Sequence, residues 1–293
     1  MSFFVPLVVD GALAGMVYAL VALAFVLVYK ASRMINFALG EWVMLGARLV
    51  ATGIHTLGLS LVGGVGVGVA GMVALALVFN RGVVRPLVAR PLISLLMVTI
   101  GLGILLRGAT TLLFAGVPSR IPVPVLPAPT LFGVSMASEK LLAAAVALIC
   151  ISMVTWFFRA TRTGLALRAI ADDQQTALAV GIDVHRHLGL TWAMAGGLAA
   201  VAGTLWSIAS GGGFSVVLLG LRVFPIVVVG GLDSIPGTII SAIAMGVLES
   251  LTVGYVDPAL GTGFSTVVSY LVLLVVLLFR PYGLLGRPAI ERV

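Results

Sequence analysis

The sequence predicts an all-α fold, a polytopic bundle of transmembrane helices. Hydrophobic residues make up 61% of the 293 positions and charged residues 9%, and the mean hydropathy is +1.23. A soluble domain of this size needs far more charge to cover its surface. The apolar residues are also spread along the whole length in long runs. We therefore predict a single transmembrane domain over residues 1–293, with no soluble module.

Nine apolar segments are long enough to cross, or nearly cross, the ~30 Å of hydrocarbon in a bilayer. They are Val5–Tyr29, Met34–Val50, Leu57–Phe79, Leu92–Phe114, Lys140–Phe158, Leu188–Ser210, Phe214–Leu232, Pro236–Val253 and Phe264–Phe279. Each is expected to be a helix, because irregular backbone is too costly in contact with lipid. Broken helices would change the count, so we expect eight to ten spans. The first segment is expected to be a retained span, since Asp10 interrupts it and no basic residues precede it.

Basic residues predict the orientation. If the N-terminus lies outside and nine segments alternate, the loops inside hold twelve Lys and Arg residues: Lys30, Arg33, Arg81, Arg85, Arg90, Arg159, Arg162, Arg168, Arg186, Arg280, Arg287 and Arg292. Only Arg120 and Lys140 then lie outside. The positive-inside rule thus favours N-out and C-in. A proline-rich loop, residues 117–138, falls outside, and the longest polar stretch, residues 159–187, falls inside.

Several function classes are disfavoured by composition. The net charge of +7 fits basic cytoplasmic loops and does not require nucleic acid, because the basic residues are scattered between apolar runs. The single cysteine, Cys150, excludes a disulfide within the chain. A metal site at His185 and His187 lacks further ligands. Neither Lys30 nor Lys140 lies in a phosphate-binding GxxxxGK[ST] loop, so any ATPase is a separate polypeptide.

The cytoplasmic stretch carries a predicted short amphipathic helix. Asp172 followed by Gln175 matches a capping box, and Asp173 also favours the positive end of a helix. Ala177, Leu178 and Val180 supply an apolar side, and Gly181 is expected just past the C-terminus. The helix is either an ordinary interfacial connector or a docking element for a cytoplasmic partner.

Three motifs resemble the permeases of branched-chain amino-acid ABC importers, of the LivH/LivM type. They are Leu167–Asp173 with Ala177–Asp183, then Ile35–Gly46, and Gly220–Gly237 followed by Glu249. The family usually has His where this chain has Leu39, and many relatives have Lys in place of Arg222. The similarity runs from about Gly11 to Gly286.

This resemblance implies an assembly in the plasma (inner) membrane of a bacterium or archaeon. Two ATP-binding subunits, a second permease subunit and a periplasmic or lipid-anchored substrate-binding protein are expected partners, with ATP bound by the partners and no cofactor on this chain. The residues expected to couple to the ATPases are Arg168, Asp172, Asp173, Ala177, Gly181, Ile182 and Asp183. The solute would be a branched-chain or other hydrophobic amino acid, with urea or a short amide as alternatives.

Polar residues within the membrane point to a pathway. Asn36 and Glu41 follow a break at Lys30–Arg33, and Arg222 follows a break at Gly211–Gly213. Corresponding interruptions in two halves suggest an inverted repeat with broken helices. We expect Asn36, Glu41 and Arg222 to line or brace the solute route. The alternative is that Glu41 and Arg222 form a buried structural pair.

Other ionisable residues in the apolar segments have simpler expected roles. Asp10, Arg48 and Glu249 lie near helix ends and are expected to snorkel, whereas Arg107 belongs either to a pair or to the pathway. An ion-driven secondary transporter would need several acidic residues at mid-membrane, and Glu41 is nearly alone. A membrane-embedded enzyme would need clustered His or carboxylates, which the segments lack.

Overall fold

The computed structural model describes residues 4–87, 92–123, 127, 130–131, 134–213, 215–261 and 263–286. In chain order its helices are α1 (Phe4–Ser32), α2 (Leu39–His55), α3 (Leu61–Phe79) continued by a π-helical stretch (Asn80–Val84), α4 (Arg85–Leu87), α5 (Leu92–Leu113), α6 (Ser138–Ala160), α7 (Arg162–Asp172), α8 (Gln174–Ala179), α9 (Val184–Ser210), α10 (Ser215–Gly230), α11 (Ile235–Tyr255), α12 (Asp257–Leu260) and α13 (Phe264–Phe279). The predicted positions Arg90, Phe214, Arg287 and Arg292 and part of the proline-rich loop 117–138 lie outside the described residues.

Hydroxyl side chains set several helix starts. The Oγ of Ser60 accepts from the Gly63 N–H at the start of α3, and Ser234 does the same for Gly237 at the start of α11. Thr161 accepts from Gly164 and begins α7 directly after α6 ends. Each bond satisfies one of the N–H groups that a helix start leaves without an intrahelical partner.

The core lies around α1 and α9. Every residue from Val17 to Val28 is at most 4% exposed, so α1 is buried on all sides, as its uniformly apolar sequence requires. It packs against α6, α9, α10 and α11. The outer helices present large apolar side chains to the surroundings, among them Val62, Ile93, Leu112 and Leu278. Such an outward apolar surface is what a lipid solvent permits.

Each of the nine predicted apolar segments overlaps a helix, although Met34–Val50 and Leu57–Phe79 begin several residues before α2 and α3. By length and composition, six helical stretches in the described part of the chain could cross a membrane: Phe4–Ser32, Leu61–Leu87, Ile93–Leu113, Ser138–Ala160, Val184–Ser210 and Ile235–Ala259. Ser215–Gly230 and Phe264–Phe279 are apolar but shorter. Outside the helices, Thr130–Leu131 and Val134–Ser135 pair as a minimal antiparallel hairpin in the proline-rich loop, with Thr130 opposite Ser135. No pattern in the sequence predicted this strand pair.

The helix neighbours repeat between the two halves. α2 packs on α3 and α9, while α10 packs on α11 and α1. α3 packs on α9, and α11 packs on α1. At the edges, α5 lies beside α2 and α13 lies beside α10. Exchanging α1–α5 with α9–α13 therefore reproduces these contacts.

Candidate functional site

The break between α1 and α2 positions the first predicted pathway residue. Asn36 is buried (3% exposed), and its Oδ1 accepts from the Ala38 N–H at 3.0 Å. This bond to the backbone two residues on is an Asx turn, which fixes the entry into α2. The Phe37 N–H reaches Thr99 on α5 at 3.4 Å. The break is thus an ordered turn seated against α5.

Glu41 lies in the first turn of α2 and forms an ion pair with Arg107 on α5. Gly103, one helical turn before Arg107, makes room for the carboxylate, because a Cβ there would lie 3.3 Å from the Glu41 Oε2. The Glu41 side chain is 7% exposed and that of Arg107 is 46% exposed. The carboxylate is therefore inside the bundle, while the guanidinium emerges at its surface.

A cleft of about 130 Å³ lies at this ion pair. Its polar lining comes from Asn36, Glu41, Arg107 and Tyr270. The remaining walls are apolar or glycine: Phe25, Phe37, Leu39, Gly40, Val217, Gly220, Leu221 and Phe224. The cleft is formed by α1, α2, α5, α10 and α13, and the first halves of α2 and α10 meet there.

Two glycines allow this meeting. A Cβ on Gly220 would lie 2.5 Å from the Cα of Gly40, and a Cβ on Gly40 would lie 2.5 Å from the Val217 carbonyl oxygen. Real side chains do not tolerate such distances, so α2 and α10 cross here only because both positions lack a side chain.

Arg222 lies outside the cleft lining, in a second polar cluster. Its Nη1 is 3.7 Å from Glu249 and 3.4 Å from the hydroxyl of Tyr18. Tyr18 donates to one Glu249 oxygen and Ser269 to the other, both at 2.8 Å. The alternative of a Glu41–Arg222 pair is therefore wrong, because each residue has a partner on a neighbouring helix.

The three residues expected to snorkel all lie within about two turns of a helix end, and they differ in burial. Glu249 is 6% exposed and joins α1, α10, α11 and α13, so its carboxylate is a buried acceptor and the snorkelling prediction is wrong. Asp10 is part-exposed and pairs with Lys140 at 2.5 Å. Arg48 donates to the Val117 carbonyl at 2.8 Å.

The predicted coupling stretch forms a helical hairpin of α7, α8 and the start of α9, which we term the hairpin 162–187. The cap of α8 is Asp173, whose carboxylate accepts from the N–H groups of Gln175 (2.9 Å) and Thr176 (3.0 Å). Asp172 instead ends α7. The predicted capping box is therefore wrong by one residue, because a second helix occupies the residues before Asp173.

Gly181 has the predicted role at the end of α8. Its φ is +85°, its N–H donates to Leu178 at 3.0 Å, and the Ile182 N–H donates to Ala177 at 3.0 Å. These two bonds form a Schellman motif, which favours glycine at the left-handed position.

A small apolar cluster holds the hairpin together. Ala177 packs with Ile170 and Val184, and Ile182 lies against them. Leu178 and Val180 point outward, 53% and 71% exposed. The remaining predicted coupling residues, Arg168, Asp172, Asp173, Gly181 and Asp183, are all exposed. The hairpin is thus a fixed unit with an apolar tip surrounded by charge.

Asp183 caps α9. The Arg186 N–H donates to its carboxylate at 3.0 Å, and this bond, with a smaller contribution from His185 and His187, holds the pKa of Asp183 below its ordinary value. A hydrogen bond to the ionised form stabilises the charge. In the described part of the chain, no three His, Cys, Asp or Glu side chains lie close enough together to hold a metal ion.

One contact that sequence reasoning missed joins the hairpin to the α1–α2 break. Arg33 donates to the carbonyl of Ala171, in the last turn of α7, at 2.7 Å. Its φ of +54° is unusual for a residue with a side chain. In the sequence, Arg33 served only as one of the basic residues that predict the membrane orientation. The contact gives the hairpin a direct connection to the turn that carries Asn36.

Comparisons with known proteins cover nearly the whole chain. The family model described as branched-chain amino acid transport system / permease component matches residues 7–279. The high-affinity branched-chain amino acid transport system permease protein LivH of Salmonella typhimurium is 31% identical over 99% of this chain and 98% of its own. LivH of Escherichia coli K12 gives the same values. BraD of Pseudomonas aeruginosa is 31% identical over 97% of this chain and 96% of its own.

Proposed function

From the premise that this chain belongs to the branched-chain amino acid transport system permease family, we propose that it is the permease subunit of an ABC importer for branched-chain amino acids. It is a transport subunit and not an enzyme. ATP hydrolysis is assigned to separate subunits, which agrees with the lack of a phosphate-binding lysine loop in this sequence.

The observation that carries the proposal is the Arg107 guanidinium at the surface of an otherwise apolar helix. Its side chain is 46% exposed and its neighbours Leu105 and Leu112 are exposed as well. Arg107 lies within a span, in the second half of α5, and a half-exposed cation there is costly against hydrocarbon and marks a pathway or an interface. Arg222 is 35% exposed in the adjoining cluster. We therefore assign the face of α2, α5, α10 and α13 to the solute route, which a second permease subunit would complete.

Within this route we assign different roles to the three predicted residues. Asn36 and Glu41 line the cleft, whereas Arg222 braces it from behind through Tyr18 and Glu249. The apolar walls suit a solute with an aliphatic side chain. Urea and short amides are the alternative solutes, which could bond to the polar lining but would leave the apolar walls unfilled.

The finer membrane topology is also part of the proposal. We assign about nine spans, the N-terminus outside and the C-terminus inside, in a multi-pass protein of the bacterial or archaeal plasma membrane. The exchange of neighbours between α1–α5 and α9–α13 supports an inverted repeat. Residues 117–138 then form an outer loop, available to a periplasmic or lipid-anchored substrate-binding protein, and residues 159–187 form the cytoplasmic coupling loop.

The coupling mechanism follows from the hairpin 162–187. Its exposed Leu178 and Val180 suit a groove on an ATP-binding subunit, one for each of two permeases. Closure of the ATPases would displace the hairpin as a unit, and Arg33 would carry that displacement to the α1–α2 break. The result is alternating access by rearrangement of helices, with no chemistry on the solute.

Reconstitution tests this assignment. The complete importer, purified through a tag on this chain, is placed in liposomes with its binding protein, and leucine accumulation is followed with and without ATP. We expect ATP-dependent leucine uptake and co-purification of two ATPase copies. Accumulation of urea or acetamide in place of leucine would move the assignment to the alternative solutes. Ion-driven uptake by this chain alone would overturn it.

A further inference from the structure

We infer that Glu41 and Arg107 form a binding site for the charged head group of an α-amino acid in transit. This inference rests on the proposed function and names the chemistry of the same cleft. The ammonium of the solute would bind Glu41, its carboxylate would bind Arg107, and its side chain would lie against the apolar walls.

The first argument is charge complementarity. An amino acid carries an ammonium and a carboxylate on one carbon, and the cleft holds one carboxylate and one guanidinium in direct contact. The planar guanidinium suits bidentate binding of a carboxylate. One internal ion pair is exchanged for two pairs with the solute, so the membrane interior holds no net charge at any stage. That matters because an uncompensated charge there is costly.

The second argument is position. The guanidinium is the exposed partner, and the carboxylate lies deeper, against the position that Gly103 leaves open. Glu41 lies in the first turn of α2, directly after the Asn36 turn. A displacement of that turn would therefore also move the Glu41–Arg107 ion pair. Exchange of the ion pair is therefore linked to the element that Arg33 connects to the coupling hairpin.

The third argument is the wall of the cleft. Phe37 and Phe224 have ring centroids 5.6 Å apart, and Leu221 and Val217 line the same space. These four side chains can pack against an aliphatic group, and they have no polar atoms that could bond to the amide of a neutral solute. Urea has no charges to exchange with the ion pair, so this site favours zwitterions over neutral polar solutes.

The test separates a solute site from a structural pair. In the reconstituted importer, leucine transported per ATP hydrolysed is measured for Glu41→Gln, Arg107→Gln and the double variant, each normalised to assembled complex. We expect each single change to lower this ratio roughly tenfold or more, the effect of losing one charge-assisted contact, and the double variant to stay equally low. Recovery in the double variant would overturn the inference, because a structural pair costs most when one charge is left alone.

Two controls keep the outcomes distinct. Asp10→Asn removes the carboxylate of another ion pair, outside the cleft, and should leave leucine per ATP unchanged. If the Gln variants fail to assemble, Arg107→Lys is the deciding variant, since it keeps the cation but loses the bidentate guanidinium. A lowered ratio of leucine to ATP in this variant supports the site, and an unchanged ratio overturns it. If the wild-type importer transports leucine and every variant has the same ratio of leucine to ATP, the binding site is refuted but the proposed function stands. Wild-type importer that moves no leucine refutes the proposed function.

Discussion

The two intramembrane charge centres of this chain each follow a helix break, yet they are built differently. In the first, the Glu41 carboxylate accepts directly from the Arg107 guanidinium at an open cleft. In the second, the Glu249 carboxylate accepts from two hydroxyls, Tyr18 and Ser269, and the Arg222 cation lies farther away at 3.7 Å.

This difference separates a centre that can exchange partners from one that stabilises the bundle. If Arg107 moved away, the Glu41 carboxylate would face the cleft, where another cation could replace the guanidinium. Moving Arg222 would leave Glu249 still satisfied by its two hydroxyl donors. The first centre also adjoins the turn that Arg33 connects to the hairpin 162–187, whereas the second joins four helices. We interpret the first as the moving centre and the second as the brace.

The largest expected effect is loss of the brace. Glu249→Ala leaves Tyr18, Ser269 and Arg222 without their shared acceptor, and removing one member of a buried charged network costs about 3–5 kcal/mol. We expect a large drop in the thermal stability and yield of the detergent-purified protein.

Glu249→Gln is the matched control, because an amide oxygen still accepts a hydroxyl hydrogen bond, and it should lose less. A stable Glu249→Ala protein with impaired transport would instead place this centre in the pathway and remove the distinction between the two.

A smaller effect is expected where the two halves meet. Gly220→Val places its Cβ about where the Gly40 backbone lies, which forces α2 and α10 apart, and overpacking of this kind costs roughly 1–3 kcal/mol. We expect lower thermal stability and lost transport together. Gly108→Ala, whose added Cβ meets no atom within 4 Å, is the control and should leave both unchanged.

A still smaller effect is expected from loss of the hydrogen bond by which Arg33 connects the hairpin 162–187 to the turn beside the first centre. Arg33→Ala removes the hydrogen bond to Ala171, and one such bond is worth about 1 kcal/mol. Leucine uptake per ATP should fall several-fold while the complex still assembles.

Arg33→Gly sharpens this test, since glycine adopts the φ of +54° without strain. Equal uncoupling in both variants assigns the effect to the hydrogen bond. Uncoupling in the alanine variant alone would assign it to backbone strain.

The smallest effect concerns pH at the hairpin. The pKa of Asp183 is lower in the folded chain than its unfolded value of roughly 3.9. Its stabilisation of the α9 start is thus present above about pH 4 and is lost as the pH falls through the lower folded pKa. Protection of the Arg186 N–H from hydrogen exchange should decrease over that range. Asp183→Asn, which caps without titrating, should abolish that dependence. Unchanged protection of the wild type would contradict the prediction.

Much of the fold could be predicted because its signals are local. Long apolar runs have to be helical in lipid, and each of the nine overlaps a helix. Gly181 was identified from a helix-stop pattern whose physical basis, a left-handed residue, is independent of tertiary context. The cap of α8 was misplaced to Asp172 because two adjacent aspartates satisfy the same pattern, and the end of α7 decides between them.

The pairing of the charges was not predictable for a different reason. Asn36, Glu41 and Arg222 were found as polar residues after breaks, but the partners Arg107 and Glu249 lie 66 and 27 residues away from Glu41 and Arg222 along the chain. No periodicity connects residues on different helices. The alternative of a Glu41–Arg222 pair failed because both residues have nearer partners across their own helix contacts.

By itself the sequence determined the lipid-compatible helical class, the breaks and the short amphipathic helix, because these depend on hydropathy and on backbone preferences over a few residues. Its motifs also indicated the family. The tertiary structure alone decided which carboxylate faces which cation, that Arg222 is outside the cleft, and that Arg33 joins the hairpin to the break. Those outcomes depend on how helices distant in sequence cross, and here the crossing is fixed by two glycines, Gly40 and Gly220, whose meeting no local pattern encodes.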